Sequence, residues 1–387
     1  MSDFATEWVH VRYAEKAGFA EVYGFSDAPD AVDLEGLRLL PRRPSRTLVI
    51  TMHPATAQGF LPLPRALAAA GVHVLCAGNR YYRNDTALIM EKAALDLGAY
   101  IRHAREVWGY DKVVLLGWSG GGALSLFYQN QAERPTVTQT PAGDPLDLTA
   151  AGLVPADAVI FQAAITSRAA TLCDWIDPSV LDENDPDRRD PELDIYDPRN
   201  PNQPPYSADF VAAYRAAQLA RMRRKIEWVK ETLQTLRRRG GKEIERGFVT
   251  HRTMADLRFM DTAVDPNDRR PRWCHLGDPE VSNSGPAGLG RFSTLRAWLS
   301  QWSPEDSNIN GPRAAAAIAA PLLVMENTAD EACPASDPPG VFQAAASTDK
   351  SYVAIKGATH FYQGQPALLR QAADAMLDWL AARGLRD

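Results

Sequence analysis

Cysteine is scarce and scattered: four in 387 residues, at Cys76, Cys173, Cys274 and Cys333, with no two in a C-x-x-C pair. That spacing excludes a disulfide framework and offers no zinc set, so the thiols read as reduced and no metal or other cofactor is expected. Long apolar runs are also missing. The most apolar stretch, residues 314–325, is interrupted by Pro321, and a membrane-spanning helix needs about 20 apolar residues. The first eight residues hold Asp3 and Glu7 and lack the basic-then-apolar order of a secretion signal. We expect a cytoplasmic protein with no membrane partner. An excess of basic charge is absent too: 42 Lys and Arg stand against 48 Asp and Glu, a formal net charge of -6, which argues against a nucleic-acid partner. No internal repeat is visible. What is present is 45% hydrophobic content, enough for a large core in one domain with an insertion, or in two domains.

One stretch organises the rest. Residues 112–128 run Lys-Val-Val-Leu-Leu-Gly-Trp-Ser-Gly-Gly-Gly-Ala-Leu-Ser-Leu-Phe-Tyr: an apolar run rich in β-formers, a glycine-packed turn and an apolar segment with helical spacing. Within it Gly117-Trp118-Ser119-Gly120-Gly121 fits G-x-S-x-G, a strand-to-helix turn that holds a serine hydroxyl exposed. Ser119 is the candidate nucleophile. A Cβ at Gly117 or Gly121 would clash where strand and helix nearly touch. The amino end of the following helix offers free N–H groups to a developing oxyanion, with Gly120 as the first donor. A phosphate-binding loop fits poorly, because no Lys-Ser/Thr follows the glycines.

Around this stretch strands and helices alternate. Strands are expected at 46–52, 73–77, 112–118, 158–164, 321–327 and 351–356, and helices at 63–70, 86–108, 340–346 and 367–383. An opening antiparallel pair is expected from residues 8–14 and 20–25 around Gly18. The pattern predicts an α/β fold, a mainly parallel sheet with helices on both faces. The alternation stops between Ile165 and about Pro312. There an Asp- and Pro-rich loop (174–205) precedes a long amphipathic helix that opens at Ser207, repeats Met222, Ile226, Val229, Leu233 and Leu236, and stops at Gly240. Residues 1–164 and 315–387 therefore form one sheet domain, and 165–314 a mostly helical insertion. The basic residues of that insertion, such as Arg221, Arg224 and Arg252, read as a solvated face or as pairs with the acidic loop; a second reading has them hold a substrate carboxylate.

A nucleophilic serine needs a base for its proton and an acid to orient that base. In a parallel sheet every strand delivers its carboxyl end to one edge, so Ser119, Asp330 and His360, each just after an expected strand, converge there. Their order is the one this elbow requires. With Gly117-Trp118-Ser119-Gly120-Gly121 as elbow, Thr328-Ala329-Asp330 as acid loop and Gly357-Ala358-Thr359-His360 as histidine loop, the chain resembles an α/β-hydrolase over roughly 240 residues. The resemblance implies a Ser119–His360–Asp330 triad and makes the insertion a cap. Glu331 is the alternative acid. The chain departs from the family's common His-Gly after the first long buried strand: it has His53-Pro54, and Pro54 has no N–H. By position Ala55, or else Thr56, would give the second oxyanion N–H, and His53 reads as a structural histidine tying down its loop. The other histidines, His10, His73, His103, His251 and His275, read as structural or substrate-contacting. Trp118, Tyr81 and Phe361 flank the motifs and are candidates for lining the substrate pocket.

The function expected on these grounds is a cofactor-independent serine esterase acting on a small ester-like molecule, with a homodimer compatible. C–C bond hydrolysis, lactone opening, thioester hydrolysis, acyl transfer on the same triad and a catalytically silent binding protein remain open.

Overall fold

The computed structural model describes residues 4–15, 22 and 30–386. Its centre is an eight-stranded sheet: β1 (Phe4–Ala14), β2 (Ala31–Pro41), β3 (Thr47–Met52), β4 (His73–Ala77), β5 (Lys112–Ser119), β6 (Ala158–Ala164), β7 (Leu322–Asn327) and β8 (Lys350–Ile355). They lie in the order β1-β2-β4-β3-β5-β6-β7-β8. β2 is antiparallel to both β1 and β4, and every later pairing is parallel. The opening pair thus joins residues 4–14 to 31–41, with Phe4 opposite Pro41. The partner expected at 20–25 lies outside the described residues apart from Val22.

β3, β4 and β6 are buried along their whole length, as parallel strands covered on both faces must be. Alternate side chains feed two cores. Leu48, Ile50, Leu115 and Phe161 pack under α2 (Met90–Glu106) and α3 (Gly120–Glu133). Val49, Val114, Leu116 and Ile160 pack under α1 (Pro62–Ala69) and the carboxyl-terminal helix Pro366–Ala381.

Between β6 and β7 the chain leaves the sheet. It forms α4 (Arg168–Trp175), a small hairpin of Val180–Asp182 with Asp185–Arg189, α5 (Ala208–Arg239) and α6 (Leu295–Trp302) among shorter turns. The hairpin sits inside the stretch expected to be loop. The side chain of Ser207 accepts from the Phe210 N–H to cap α5, and Gly240 closes it at φ 61°. Met222, Ile226, Val229, Leu233 and Leu236 bury against Trp298 and Trp302 of α6. Two of the three basic residues singled out in this region are paired inside, Arg221 with Glu183 of the acidic stretch as one of the two expected readings had it. Arg221 is fully buried and grips both carboxylate oxygens of Glu183 at 2.8 and 3.0 Å, and Arg252 bonds Asp177 and Asp194 at 2.6 and 2.8 Å. Arg224 is exposed. Among the described residues no helix is long and apolar enough to cross a membrane.

Candidate active site

Ser119 ends β5 and precedes α3, with φ 55° and ψ −130°. A non-glycine residue held there stores about 1–3 kcal/mol, which the surrounding packing must hold in place. The packing is close: a Cβ at Gly117 would come within 2.6 Å of the Gly122 Cα, and one at Gly121 within 2.4 Å of the Met52 carbonyl oxygen. Only glycine lets β3, β5 and α3 approach this far, and α3 therefore begins directly at the serine with its first-turn N–H groups facing outward.

His360 and Asp330 come from loops after β8 and β7. His360 Nδ1 lies 2.8 Å from Asp330 Oδ2, both side chains buried. The other carboxylate oxygen, Oδ1, accepts from the N–H groups of Ala332 and Cys333 at 2.7 and 2.8 Å, so the acid is fixed from both ends. Glu331 does not reach the ring: its carboxylate accepts from the His360 backbone N–H at 3.2 Å. Burial, then the neighbouring Asp330, raises the Glu331 carboxyl above its ordinary range. Beneath the loop the Tyr362 hydroxyl donates to Asn327 Oδ1 at 2.8 Å, and Asn327 Nδ2 donates to the Thr359 carbonyl at 2.8 Å. That chain ties the histidine loop to the end of β7.

Ser119 and His360 open on one cavity of about 410 Å³. Trp118 and Phe361 line it, their rings 4.6 and 4.8 Å from the His360 ring. From the segment between β6 and β7 come Arg168, Trp175, Met254, His275, Leu276 and Leu289. His275 stands 6.1 Å from the His360 ring, ring centre to centre, and its Nδ1 is buried with no partner. Burial and then the nearby His360 push its pKa down to about 3, so the ring is neutral near pH 7. Arg168 is buried against Trp302 and pairs with Asp85 at 2.7 Å. Nothing local in the sequence marks Arg168, Met254 or Trp175 as cavity residues, since the path of a long insertion decides which of its side chains face the serine.

Two expected site residues are corrected. Tyr81 is fully buried in the core and is absent from the cavity wall. Asn79 causes this: its Nδ2 bonds the His53 and Pro54 carbonyls and its Oδ1 accepts from the Tyr81 N–H, which folds the turn after β4 back under β3. Ala55 does line the cavity, but its N–H donates to His53 Nδ1 at 3.0 Å, and the Thr56 N–H donates to the same atom at 3.1 Å. Neither backbone donor is free for an oxyanion. The histidine ties down its loop, and in doing so takes up the N–H groups that position alone assigned to the hole.

Among the described residues Asp330, Cys333 and His360 are the metal-ligating side chains whose donor atoms cluster, within 4.8 Å of one another. Asp330 and His360 already spend those atoms on their mutual hydrogen bond, and Cys333 Sγ turns to the Ala163 carbonyl at 3.2 Å.

No family model and no curated protein matches the sequence. Solved structures do. DcsB, in a complex with its substrate analogue, aligns over 98% of this chain and 99% of its own at 13% identity and a TM-score of 0.51. The α/β hydrolase GrgF from Penicillium sp. sh18 aligns over 97% of this chain and 98% of its own at 11% identity and a TM-score of 0.50. At such identities the likeness speaks for the fold, and joined to the strand order and to the strained serine turn after β5 it gives this chain the α/β-hydrolase fold.

Proposed function

We propose that the protein is a serine hydrolase that cleaves a carboxylic ester through an acyl-enzyme on Ser119. One observation carries the reading: a serine strained outward at the head of a helix opens on the same cavity as a histidine whose Nδ1 is 2.8 Å from a buried carboxylate. With the Nδ1 proton given to Asp330, Nε2 of His360 is left as the base. In acylation Ser119 Oγ bonds to the ester carbonyl carbon, its proton passes to His360 Nε2, and the carbonyl π pair moves onto oxygen. The Gly120 N–H, at the head of α3, stabilises that oxygen. Collapse re-forms the carbonyl, breaks the bond to the alcohol oxygen, and His360 returns the proton to it. Water then repeats the sequence and releases the acid.

The segment between β6 and β7 acts as the cap in this reading, because it supplies one wall of the cavity. Its attachment is firm: Asn267 Nδ2 donates to the Asp330 carbonyl at 2.9 Å, and Ser300 and Asn308 donate to the buried Glu91 of α2, each at 2.9 Å. It is a fixed wall that selects by shape. The cavity's apolar wall of Leu61, Ile165, Trp175, Met254 and Leu289 suits an acyl or alcohol portion that is itself apolar.

The test is a panel of short aryl and alkyl esters, lactones, thioesters and diketones assayed with the wild type and Ser119→Ala, with products identified. We expect ester turnover that the substitution abolishes. Ester turnover that survives in Ser119→Ala contradicts the proposal.

A further inference from the structure

We infer that the side chain of His53 is itself a catalytic residue: its Nε2–H gives the oxyanion the second hydrogen bond, beside that of the Gly120 N–H. The inference rests on the acyl-transfer reading above and deepens it. It begins from a shortage of donors. An oxyanion hole of this fold draws on the chain after β3, yet Pro54 has no N–H there, and those of Ala55 and Thr56 are both directed at His53 Nδ1, at 3.0 and 3.1 Å.

The same two hydrogen bonds determine where the ring's proton is. A nitrogen that accepts two N–H groups carries no hydrogen, so the neutral imidazole must hold its proton on Nε2. The ring is neutral: burial first, then the positive charge of Arg168, hold its pKa well below the usual histidine range. Among the described residues both of the ring's hydrogen bonds are made at Nδ1. The ring also lines the cavity shared by Ser119 and His360. Its Nε2 lies against the head of α3, where a Cβ built on Gly120 would stand only 2.9 Å away. Glycine at 120 keeps that space open between the imidazole and the first donor of the hole.

The ring is also held in place before any substrate arrives. Asn79 Nδ2 grips the His53 and Pro54 carbonyls at 3.2 and 2.8 Å, and the Trp118 ring stands 5.9 Å from the imidazole. A donor fixed in advance, out of bulk water, costs no reorganisation when charge appears, and that is the condition under which such a bond acts mainly on the transition state. No proton moves: the ring donates a hydrogen bond and keeps its hydrogen, while the electron pair arriving on oxygen comes from the carbonyl π bond. His53 thus does two jobs with two nitrogens, one ordering the loop and one facing the reaction.

Two substitutions separate those jobs. In His53→Asn the amide oxygen overlays Nδ1 and can keep the loop tie, but nothing reaches the place of Nε2. In His53→Gln the amide NH₂ reaches the place of Nε2, but the loop tie is lost. We expect His53→Asn to lower kcat for an aryl ester by on the order of 10²-fold with little change in KM, and His53→Gln to retain more of kcat. A His53→Asn enzyme with near wild-type kcat overturns the inference, because the loop tie alone would then suffice. Should either variant fold poorly, ¹⁵N-histidine NMR of the wild type decides. The expected spectrum has His53 protonated at Nε2, with that proton moving downfield when a trifluoromethyl ketone forms its tetrahedral adduct on Ser119. A proton on Nδ1, or an adduct that leaves the Nε2 proton unmoved, overturns the role of His53 alone. No adduct on Ser119 at all overturns the hydrolase reading and this inference with it.

Discussion

At the scale of single residues, the site turns on which atom of each side chain faces which neighbour. Ser119→Ala and His360→Ala should each lower turnover by several orders of magnitude without unfolding the protein, and the double variant should be little worse than either, because nucleophile and base act as a unit. Kinetics of the three variants, with circular dichroism as the folding control, check this. Asp330→Asn should cost far more turnover than Glu331→Gln, since Asp330 reaches the ring of His360 and Glu331 reaches only its backbone N–H. The reverse ranking would make Glu331 the orienting acid. That Ser119 and His360 share one cavity, with Asp330 bonded to the histidine ring, was legible in the sequence because each stands in a short motif at a strand's end. The fate of the N–H groups after β3 could not be found this way. Position named Ala55 or else Thr56, but whether their N–H groups meet an acceptor depends on the rotamer of His53, two and three residues earlier, and no spacing rule encodes a rotamer.

At the scale of elements, α5 shows where the charge of an Arg-rich helix goes. Its Arg-rich sequence suggested a solvated face or pairing with the acidic loop, and both occur: Arg224 is exposed, while Arg221 lies fully buried between Glu183 and the carbonyls of Asp177 and His251. The helix is flanked on more than one side, so a charged residue can point inward if a partner meets it there, and that partner, Glu183 at the turn of the small hairpin, lies 38 residues before Arg221 in sequence. Arg221→Met should therefore cost about 3–5 kcal/mol of stability, as breaking one side of a buried pair does, and leave KM for esters of acidic substrates unchanged. Denaturant unfolding and a comparison of acidic with neutral esters test both halves. Glu183 gives the matching pH dependence. Burial alone would raise its pKa, but the hydrogen bonds and charge of Arg221, then Lys225, bring it down to about 2 from an ordinary 4.5. A carboxyl with a depressed folded-state pKa contributes stability that is complete above 4.5 and lost as pH falls from 4.5 toward 2. Glu183→Gln should flatten that part of the stability curve, measured by urea unfolding at a series of pH values.

At the scale of the whole molecule, the parallel strands were legible because burial on both faces writes them as continuous apolar runs, with β4 and β6 falling on the expected residues. β2 was not. Its Val32 and Leu34 enter one core while Leu39 enters the core on the other face, so no single alternation marks the strand; an antiparallel partner is chosen by long-range register, and Gly18 suggested a closer turn than the pairing of Phe4 with Pro41 allows. The insertion was legible as an interruption and illegible as a surface, since only the folded path shows that Trp175, Met254 and Leu289 face the serine. If that wall selects the substrate, Met254→Ala and Leu289→Trp should reorder preference among esters of different size through KM by several-fold. Turnover of a minimal acetate ester should change little. Equal KM changes across the whole panel would remove the selecting role from the wall. The central claim, a nucleophile at Ser119 in a competent site, is tested most directly by treating the purified protein with a fluorophosphonate and mapping the adduct by peptide mass spectrometry. The prediction is one adduct per chain, on Ser119, absent in Ser119→Ala and strongly slowed in His360→Ala. An unmodified protein, or an adduct on any other residue, would contradict it.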